Sequence, residues 1–490
     1  MLAGAGGLAA LLATAAWRLG RARPAEETLP AATRMSIAAA LRAPDARGFA
    51  RALAPRPFVF PADHGSHPDY RTEWWYYTGN VASRDGRRFG FQLTFFRTAL
   101  APGPPGAAEP EAPGRSAGPA SAAQSAAGTA ASAPPTAPAA PAAPAAFAGG
   151  RASAWATRQV WFAHFAVTDA AGHRFLAYER WERQALGLAG AEAAPFRVWV
   201  GPWSAASAGA GTGPASAGAG GGAGLASAGT PPVRLSAGAA EAAIDLVLTA
   251  ALPPVPQGDR GLSAKSAEPG NASYYYSLPR LAAAGTLRLG AERLAVTGQA
   301  WMDREWSTSS LAAGEVGWDW FALQLDDGWE LMLYRLRRRP SAAAAGVPTP
   351  LRGLAAGESH AGHEAESQPA VTSQADHADP ASLATLIAPD GRTTRVPLSA
   401  VQFAATGAWT SPASHVRYPS GWRLTLPGTG PAAFDLTVQP LLAAQELLLS
   451  FRYWEGTVTA SGTHGGRPVK ARGYVELTGY GDAALPRHPP

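Results

Sequence analysis

The 490-residue chain contains no cysteine, which excludes disulfide bonds, thiolate metal sites and cysteine nucleophiles. Lysine is almost absent, because Lys265 and Lys470 are the only two among 41 basic residues. Arginine supplies the rest of a dilute positive charge, +5 overall, and the abundant Ala, Gly and Pro indicate the codon preference of a GC-rich genome. No stripe of basic residues interleaved with aromatics occurs, so we predict no nucleic-acid partner.

Motifs that mark several enzyme classes are missing as well. The chain has no Gly-x-Ser-x-Gly nucleophile elbow, no phosphate-binding loop with Gly-Lys-Ser/Thr and no His-Glu-x-x-His helix. His360, His363 and His377 fall in a low-complexity tract and would form at most an adventitious metal site. We therefore expect no metal site and no cofactor.

Residues 1–55 are predicted to carry an export signal or membrane anchor followed by a linker. The segment Leu2–Trp17 is apolar and rich in small residues, and Arg18, Arg21 and Arg23 follow it. This run is shorter than the roughly 20 residues of a membrane span, and it is similar to the hydrophobic part of an export signal. The alternative is a mobile apolar tail.

Three tracts rich in Ala, Gly, Pro and Ser interrupt the chain, at 101–152, 204–231 and 339–381. Such segments bury too little apolar surface to offset chain entropy, so we expect them to be disordered insertions or linkers. Between the tracts, apolar and polar residues alternate with the period of two that is typical of strands. The last tract is interpreted as a seam between two β domains.

Four pairs of aromatic and β-branched segments flank turns that contain Gly, which predicts four β-hairpins. They are Glu73–Ala82 with Arg88–Arg97, Val160–Thr168 with His173–Arg180, Trp318–Leu325 with Trp329–Leu336, and Phe451–Ala460 with Arg467–Leu477. One amphipathic helix is expected, at Met35–Ala54. Many short strands with little helix indicate an all-β chain of antiparallel barrels or sandwiches.

The densest cluster of polar and aromatic residues runs from Trp301 to Ser309. On a regular strand Trp301, Asp303 and Glu305 share one face, with the two carboxylates about 7 Å apart, while Arg304 and Trp306 share the other. A carboxyl group beside Trp rings can have a raised pKa and act as a neutral acid near neutral pH. The alternative is that both carboxylates pair with arginines at a barrel rim.

Three further positions stand out, each with a structural alternative. Glu73 shares an aromatic strand face with Trp75, where it is either functional or paired with arginine or backbone. His164 lies inside the aromatic segment Trp161–Phe165 and is either a core histidine or a ligand-binding group. Lys265, in a chain that otherwise uses arginine, is interpreted as a loop lysine that binds carbonyls, with a serine–lysine catalytic pair as the alternative.

Six segments carry a resemblance to a known family: His67–Asn80, Phe89–Arg97, Gly261–Ser277, Ala300–Ser309, Gly317–Arg337 and Tyr453–Tyr480. They resemble the AttH-type lipocalin-like proteins, which are grouped with carotenoid 1,2-hydratase and are often labelled predicted secreted hydrolases. The resemblance runs from about residue 56 to 481, apart from the three tracts. It implies two tandem lipocalin-like antiparallel β-barrel domains, which we place at 56–338 and 382–490, with a low-complexity linker or loop at 339–381 between them. It also implies export to the bacterial periplasm or attachment to the cell envelope through the N-terminus.

The function expected from this resemblance is binding of a hydrophobic ligand, a lipid or an isoprenoid, in an aromatic-lined barrel. The alternatives are a hydratase that adds water to an isoprenoid double bond, a hydrolase of a hydrophobic substrate, or a structural role at the envelope. In a hydratase, Asp303 or Glu305 would supply the proton. The residues expected to bind the ligand are Glu73, Trp75, His164, Tyr275, Trp301, Trp306, Trp318, Asp319 and Trp320.

Overall fold

The computed structural model describes residues 35–36, 47–102, 157–209, 230–308, 311–312, 314–338 and 379–481. Within these ranges the chain forms 26 β-strands and two short 3-10 helices, Ala62–His64 and Leu398–Ala400, and no α-helix. The all-β prediction is therefore confirmed. The predicted N-terminal signal or anchor lies outside the described residues. In the part of the chain that the structure describes, no helix is long and apolar enough to cross a membrane.

The helix expected over Met35–Ala54 is not present in the described part of that segment. Residues Met35–Ser36 form strand β1, which pairs in parallel with a strand near the carboxyl end of the chain. Residues 47–54 contain no regular element. Pairing with Phe451–Arg452 therefore outweighs the helical pattern at Met35–Ser36.

The first sheet contains thirteen strands and is antiparallel throughout. Its strands are β2 (Thr72–Ser83), β3 (Arg88–Ala99), β4 (Gln159–Asp169), β5 (Arg174–Arg183), β6 (Ala189–Ala193), β7 (Phe196–Val200), β8 (Trp203–Ser207), β9 (Val233–Gly238), β10 (Ala242–Ala250), β11 (Val255–Pro256), β12 (Leu262–Ala264), β13 (Ala272–Leu289) and β14 (Glu292–Ser307). Their main order is β5-β4-β3-β2-β14-β13-β10-β9-β8-β7-β6. The sheet curls on itself, so that β5 at one edge contacts β7 near the other.

The second sheet contains eleven strands and forms a nearly closed barrel. Besides β1, its strands are β15 (Glu315–Leu325), β16 (Glu330–Arg338), β17 (Leu383–Ile387), β18 (Thr393–Pro397), β19 (Gln402–Ala405), β22 (Trp422–Leu426), β23 (Phe434–Pro440), β24 (Glu446–Leu448), β25 (Phe451–His464) and β26 (Arg467–Leu477). A separate two-stranded ribbon is formed by β20 (Ala408–Thr410) and β21 (Arg417–Pro419). The main order of the second sheet is β18-β17-β16-β15-β26-β25-β23-β22-β19.

All four predicted hairpins are confirmed by the strand pairs β2–β3, β4–β5, β15–β16 and β25–β26. The grouping of the strands differs from the expected boundary at residue 338, because β15 and β16 belong to the second sheet. The 339–381 tract therefore connects β16 to β17, two paired neighbours, instead of two domains. The 101–152 tract likewise falls between the paired strands β3 and β4. The 204–231 tract, whose residues 204–207 belong to β8, precedes the paired strand β9. Outside β8, each tract therefore falls between two strands that pair with each other.

Each barrel encloses its own hydrophobic core. Trp75, Phe91 and Trp161 are fully buried in the first, and Phe321 and Trp422 in the second. Both barrel interiors are occupied by such packed side chains. Strands β2 and β3 are buried on both faces, because their outer faces pack against the second sheet. The contact between the sheets is itself aromatic, and this layer positions the candidate site.

Candidate site between the two sheets

A cavity of about 80 Å³ lies between the two sheets and is lined by both. The first sheet contributes outward-facing residues of β2, β3, β13 and β14, and the second contributes those of β15, β16, β25 and β26. Four carboxyl groups line this cavity: Asp303, Glu305, Glu455 and Glu476. The sequence predicts a ligand inside a barrel, but this cavity lies outside both barrel interiors. It combines carboxyl groups from both sheets.

Asp303 is 4% exposed and receives hydrogen bonds from three side chains. Its Oδ1 accepts from the Ser277 hydroxyl at 2.5 Å and from Trp301 Nε1 at 2.7 Å, while its Oδ2 accepts from the Tyr275 hydroxyl at 2.7 Å. Burial raises the pKa of Asp303 to about 7, although the three donors favour the charged form and oppose the increase. Near neutral pH this carboxyl group can both give and take a proton.

Glu305 forms an ion pair with Lys265, at 2.7 Å between Oε1 and Nζ. The Ser273 hydroxyl donates to the same oxygen. Burial lowers the pKa of Lys265, but the charge and hydrogen bond of Glu305, together with Tyr334 and Glu315, outweigh burial, so the net effect raises the pKa. The ammonium group therefore stays charged and is paired with the Glu305 carboxylate.

The second sheet places Glu455 and Glu476 on the opposite wall of the cavity. Burial raises the pKa of Glu476 to about 8, and the charges of Glu305 and Asp303 raise it further, whereas a hydrogen bond from Trp318 opposes the increase. Burial also raises the pKa of Glu455 well above its ordinary value, and the charge of Glu476 adds to this effect. Glu476 is therefore mostly protonated at pH 7, when Asp303 is partly ionised.

The rest of the cavity wall is aromatic. Trp320 contacts Tyr76 edge to face, with ring centroids 5.1 Å apart, and its Nε1 donates to the Tyr275 hydroxyl at 3.2 Å. Trp74 and Trp318 complete the apolar surface at the boundary between the sheets. An apolar ligand with little hydrogen-bonding capacity would contact ring faces on several sides, with carboxyl groups on both walls of the cavity.

His164 supports the cavity from behind instead of lining it. It is fully buried, and its Nδ1 lies 2.7 Å from the hydroxyl of Tyr453, a wall residue that also accepts from Gln92 Nε2 at 3.0 Å. Burial lowers the pKa of His164 to about 3, so the imidazole is neutral. It positions the Tyr453 hydroxyl.

The structure separates the residues singled out from the sequence into three groups. Asp303, Glu305, Tyr275, Trp318 and Trp320 line the cavity. Trp301 and His164 each lie one hydrogen bond behind it. The remaining four, Glu73, Trp75, Trp306 and Asp319, face the barrel interiors.

Glu73 is fully buried between Arg97 and Arg304 and pairs with both. Burial alone would raise its pKa, but the two guanidinium groups outweigh burial and hold the pKa well below its ordinary value. Trp306 stacks on His67 beside this network, with ring centroids 3.8 Å apart. These groups form an internal ion network, which agrees with the structural alternative for Glu73.

Asp319 has the corresponding position in the second barrel. It pairs with Arg335 at 3.2 Å and with Arg337 at 3.0 Å, and it accepts a hydrogen bond from the Tyr480 hydroxyl at 2.9 Å. The neighbouring residues Trp318 and Trp320 point the opposite way, into the cavity. Because side chains alternate along β15, Asp319 faces the barrel interior and its two Trp neighbours face the cavity.

Several cavity residues were missed in the sequence. Glu455 and Glu476 carry the same signal as Glu305, an acid inside an aromatic or β-branched strand. Lys265 was expected to bind carbonyl groups in a loop. Its ammonium group instead forms an ion pair with Glu305. Trp75 was expected in the site instead of Trp74 and Tyr76. In a strand that is aromatic on both faces, alternation does not show which face lines the cavity and which faces the barrel interior.

No group of three or more His, Cys, Asp or Glu side chains in the described ranges is arranged to hold a metal ion. Asp303 and Glu305 form hydrogen bonds and an ion pair within the protein. Their partners are serine, tyrosine, tryptophan and lysine.

A model of the AttH-like family matches residues 51–131, 139–349 and 370–480, which together make up most of the chain. No curated protein matches the chain. Among solved structures, an AttH protein of Nitrosomonas europaea is similar at 26% identity and a TM-score of 0.59, over 87% of this chain and 100% of that chain. Kievitone hydratase of Nectria haematococca is similar in fold at 13% identity and a TM-score of 0.51, over 89% of this chain and 98% of that chain.

Proposed function

The chain belongs to the AttH-like family, and we propose that it is a hydratase that adds water to a carbon–carbon double bond of an apolar small molecule. The reaction takes place in the cavity between the two sheets. Asp303 is the general acid, and the surrounding rings stabilise the cation that protonation creates. An isoprenoid with a trisubstituted terminal double bond is the substrate class that fits this chemistry, and the cavity of about 80 Å³ receives the reacting end of the molecule.

The observation that carries the proposal is the environment of Asp303. A carboxyl group with a pKa of about 7 is half protonated at neutral pH, so it can supply a proton without an acidic medium. Protonation of an alkene carbon leaves a tertiary carbocation, which an aromatic face and a carboxylate both stabilise. Tyr76, Trp318 and Trp320 provide such faces in the same cavity.

The proposed steps balance without a further reactant. The π electrons of the double bond take the proton from Asp303, a C–H bond forms, and the positive charge moves to the more substituted carbon. A water oxygen then forms the C–O bond, and its extra proton returns to the Asp303 carboxylate. Glu476, which is mostly protonated at this pH, can donate a hydrogen bond to the attacking water.

Ligand binding alone does not account for the four carboxyl groups. Burying ionisable groups beside an apolar ligand opposes binding, because each group must be desolvated or kept neutral. A carrier of lipids is better served by an apolar wall. The fold likeness to kievitone hydratase, a protein named for a hydration reaction, also supports a hydratase over a carrier.

The test is incubation of the purified protein with acyclic isoprenoids in ¹⁸O-labelled water. The proposal predicts a product that gains one labelled water, with the oxygen on the tertiary carbon. Asp303→Asn should retain the substrate but lose turnover by about 10²–10⁴-fold, the contribution typical of a general acid.

Asp245→Asn is the matched control, because Asp245 is 42% exposed and pairs with Arg234 on the outside of the first sheet. This variant should retain full activity. Binding of the isoprenoid without any incorporation of labelled water would support a carrier and contradict the hydratase.

A further inference from the structure

A second and wider opening lies between the two sheets, lined by β2, β3, β13 and β14 of the first sheet and by β15, β23, β25 and β26 of the second. This groove has a volume of about 720 Å³, in the range of small-molecule sites. Its character is the opposite of that of the acidic cavity. Four cationic side chains line it, those of Arg88, Arg280, Lys470 and Arg472, against one carboxylate, Asp326.

Three of these cations have no carboxylate within ion-pair distance among the residues that the structure describes. Arg280 pairs with the buried Glu330, but Arg88, Lys470 and Arg472 have no such partner. Asp326 accepts its hydrogen bond from the backbone N–H of Lys470 and forms no ion pair with the ammonium group. The groove therefore holds a surplus of positive charge between walls of low dielectric, where field lines are focused.

The groove is separate from the acidic cavity. Asn80 Nδ2 donates to Gly473 O at 3.0 Å across the two sheets, and the Thr457 hydroxyl donates to Asn80 Oδ1. Gly90 packs so closely against Thr457 that a Cβ at this glycine would lie 2.6 Å from the threonine methyl group. This contact closes the space between the sheets at its centre.

Strand β26 shows the division most clearly. Its outward face carries Lys470 and Arg472 in the groove, then Tyr474, and then Glu476 in the acidic cavity. Both lysines of the chain lie between the sheets, with Lys265 in the cavity and Lys470 in the groove. Lys265 has an internal counter-charge in Glu305, whereas Lys470 has none.

We propose that the groove binds a small soluble polyanion, a ligand with two or more phosphate or carboxylate groups. Two arginines and a lysine in one groove suit several anionic groups, because guanidinium forks bind oxyanions in pairs of hydrogen bonds. The amides of Gln299 and Gln439 and the hydroxyls of Thr437 and Ser461 add neutral hydrogen-bonding groups to the lining. The groove is recessed between two sheets, which favours a free solute over the flat surface of a membrane.

The test is calorimetric titration of the full chain with inorganic tripolyphosphate at low and high ionic strength. We expect saturable binding that weakens as salt rises. The double variant Lys470→Gln/Arg472→Gln should weaken binding by about tenfold or more, because each lost charged hydrogen bond contributes strongly to binding. The control Arg293→Gln/Arg467→Gln removes the same charge from exposed positions outside the groove and should bind like the wild type.

Two results would overturn this proposal. One is equal weakening in both double variants, which would indicate a response to net charge alone. The other is a groove-dependent association with phosphatidylglycerol vesicles but not with tripolyphosphate, which would identify a lipid surface as the partner. Asp303→Asn should bind tripolyphosphate normally, so the outcome is independent of the proposed hydratase reaction.

Discussion

Tyr275 donates its hydroxyl proton to Oδ2 of Asp303 across 2.7 Å, from the neighbouring strand of the same sheet. The tyrosine hydroxyl is in turn held by Trp320 of the second sheet. One hydrogen-bond chain therefore connects the two sheets through the carboxyl group that we assign as the acid. The state of this carboxyl depends on both barrels being packed together.

Removing this donor should raise the pKa of Asp303 further. The hydrogen bond from Tyr275 favours the charged carboxylate, so Tyr275→Phe should shift the pKa up by about one pH unit. Carbon-13 NMR of labelled aspartate carboxyls measures the shift. Tyr274→Phe is the control, because the Tyr274 hydroxyl donates to the carbonyl of Ala54 instead. An unchanged or lowered pKa in Tyr275→Phe would contradict the assigned contact.

Asp303 also predicts a pH dependence of stability. Its pKa is raised from an ordinary 3.8 to about 7, so between these values the folded chain holds a proton that the unfolded chain has lost. The free energy of unfolding therefore falls as the pH rises through this window. Asn at this position does not titrate. The free energy of unfolding of Asp303→Asn, relative to that of the wild type, should therefore increase by up to about 3 kcal/mol from pH 5 to pH 8.

Urea unfolding at the two pH values measures this gain. Asp245→Asn, at an exposed ion pair, should follow the wild type at both. If the free energy of unfolding of Asp303→Asn depends on pH as that of the wild type does, burial does not raise the pKa of Asp303.

Lys265 should stabilise the fold through Glu305. Lys265→Met leaves the buried Glu305 carboxylate without its counter-charge. We expect this to lower the free energy of unfolding by about 3 kcal/mol. The double variant Lys265→Met/Glu305→Gln should recover most of this loss, because it removes the unpaired charge. Lys470→Met changes the other lysine, which is exposed, and should have little effect on urea unfolding. Additive losses in the double variant would contradict the pairing.

Much of the architecture could be predicted from the sequence, because the relevant signals are local. Gly-containing turns between aromatic segments determine the hairpins, and alternation correctly places Asp303 and Glu305 on one face. Glu455 and Glu476 join them only because a second sheet packs against the first. No local pattern specifies which strands of two barrels meet.

The same limit explains the placement of Glu73. An acid in an aromatic strand gives one signal whether it faces a cavity or a barrel interior, and the arginines that decide the case are 24 and 231 residues away in the sequence. The domain boundary expected at the 339–381 tract differs from the observed strand grouping for a related reason. A low-complexity insertion in a hairpin loop has the same composition as a linker between domains.

Glu73 should therefore matter for stability more than for the reaction. Glu73→Gln leaves Arg97 and Arg304 without their shared carboxylate inside the first barrel, and we expect a loss of about 3–5 kcal/mol in the free energy of unfolding. Glu292→Gln is the control, since Glu292 pairs with Arg87 at the surface and should contribute less than about 1 kcal/mol. A stable Glu73→Gln protein with selective loss of turnover would show that Glu73 acts in the site.

The most direct test of the account is the titration of Asp303 itself. In the wild-type protein with carbon-13-labelled aspartate carboxyls, one resonance should titrate near pH 7, and it should be missing from Asp303→Asn. A carboxyl group at position 303 that titrates near pH 4 would remove the acid from the proposed reaction, and the hydratase assignment with it.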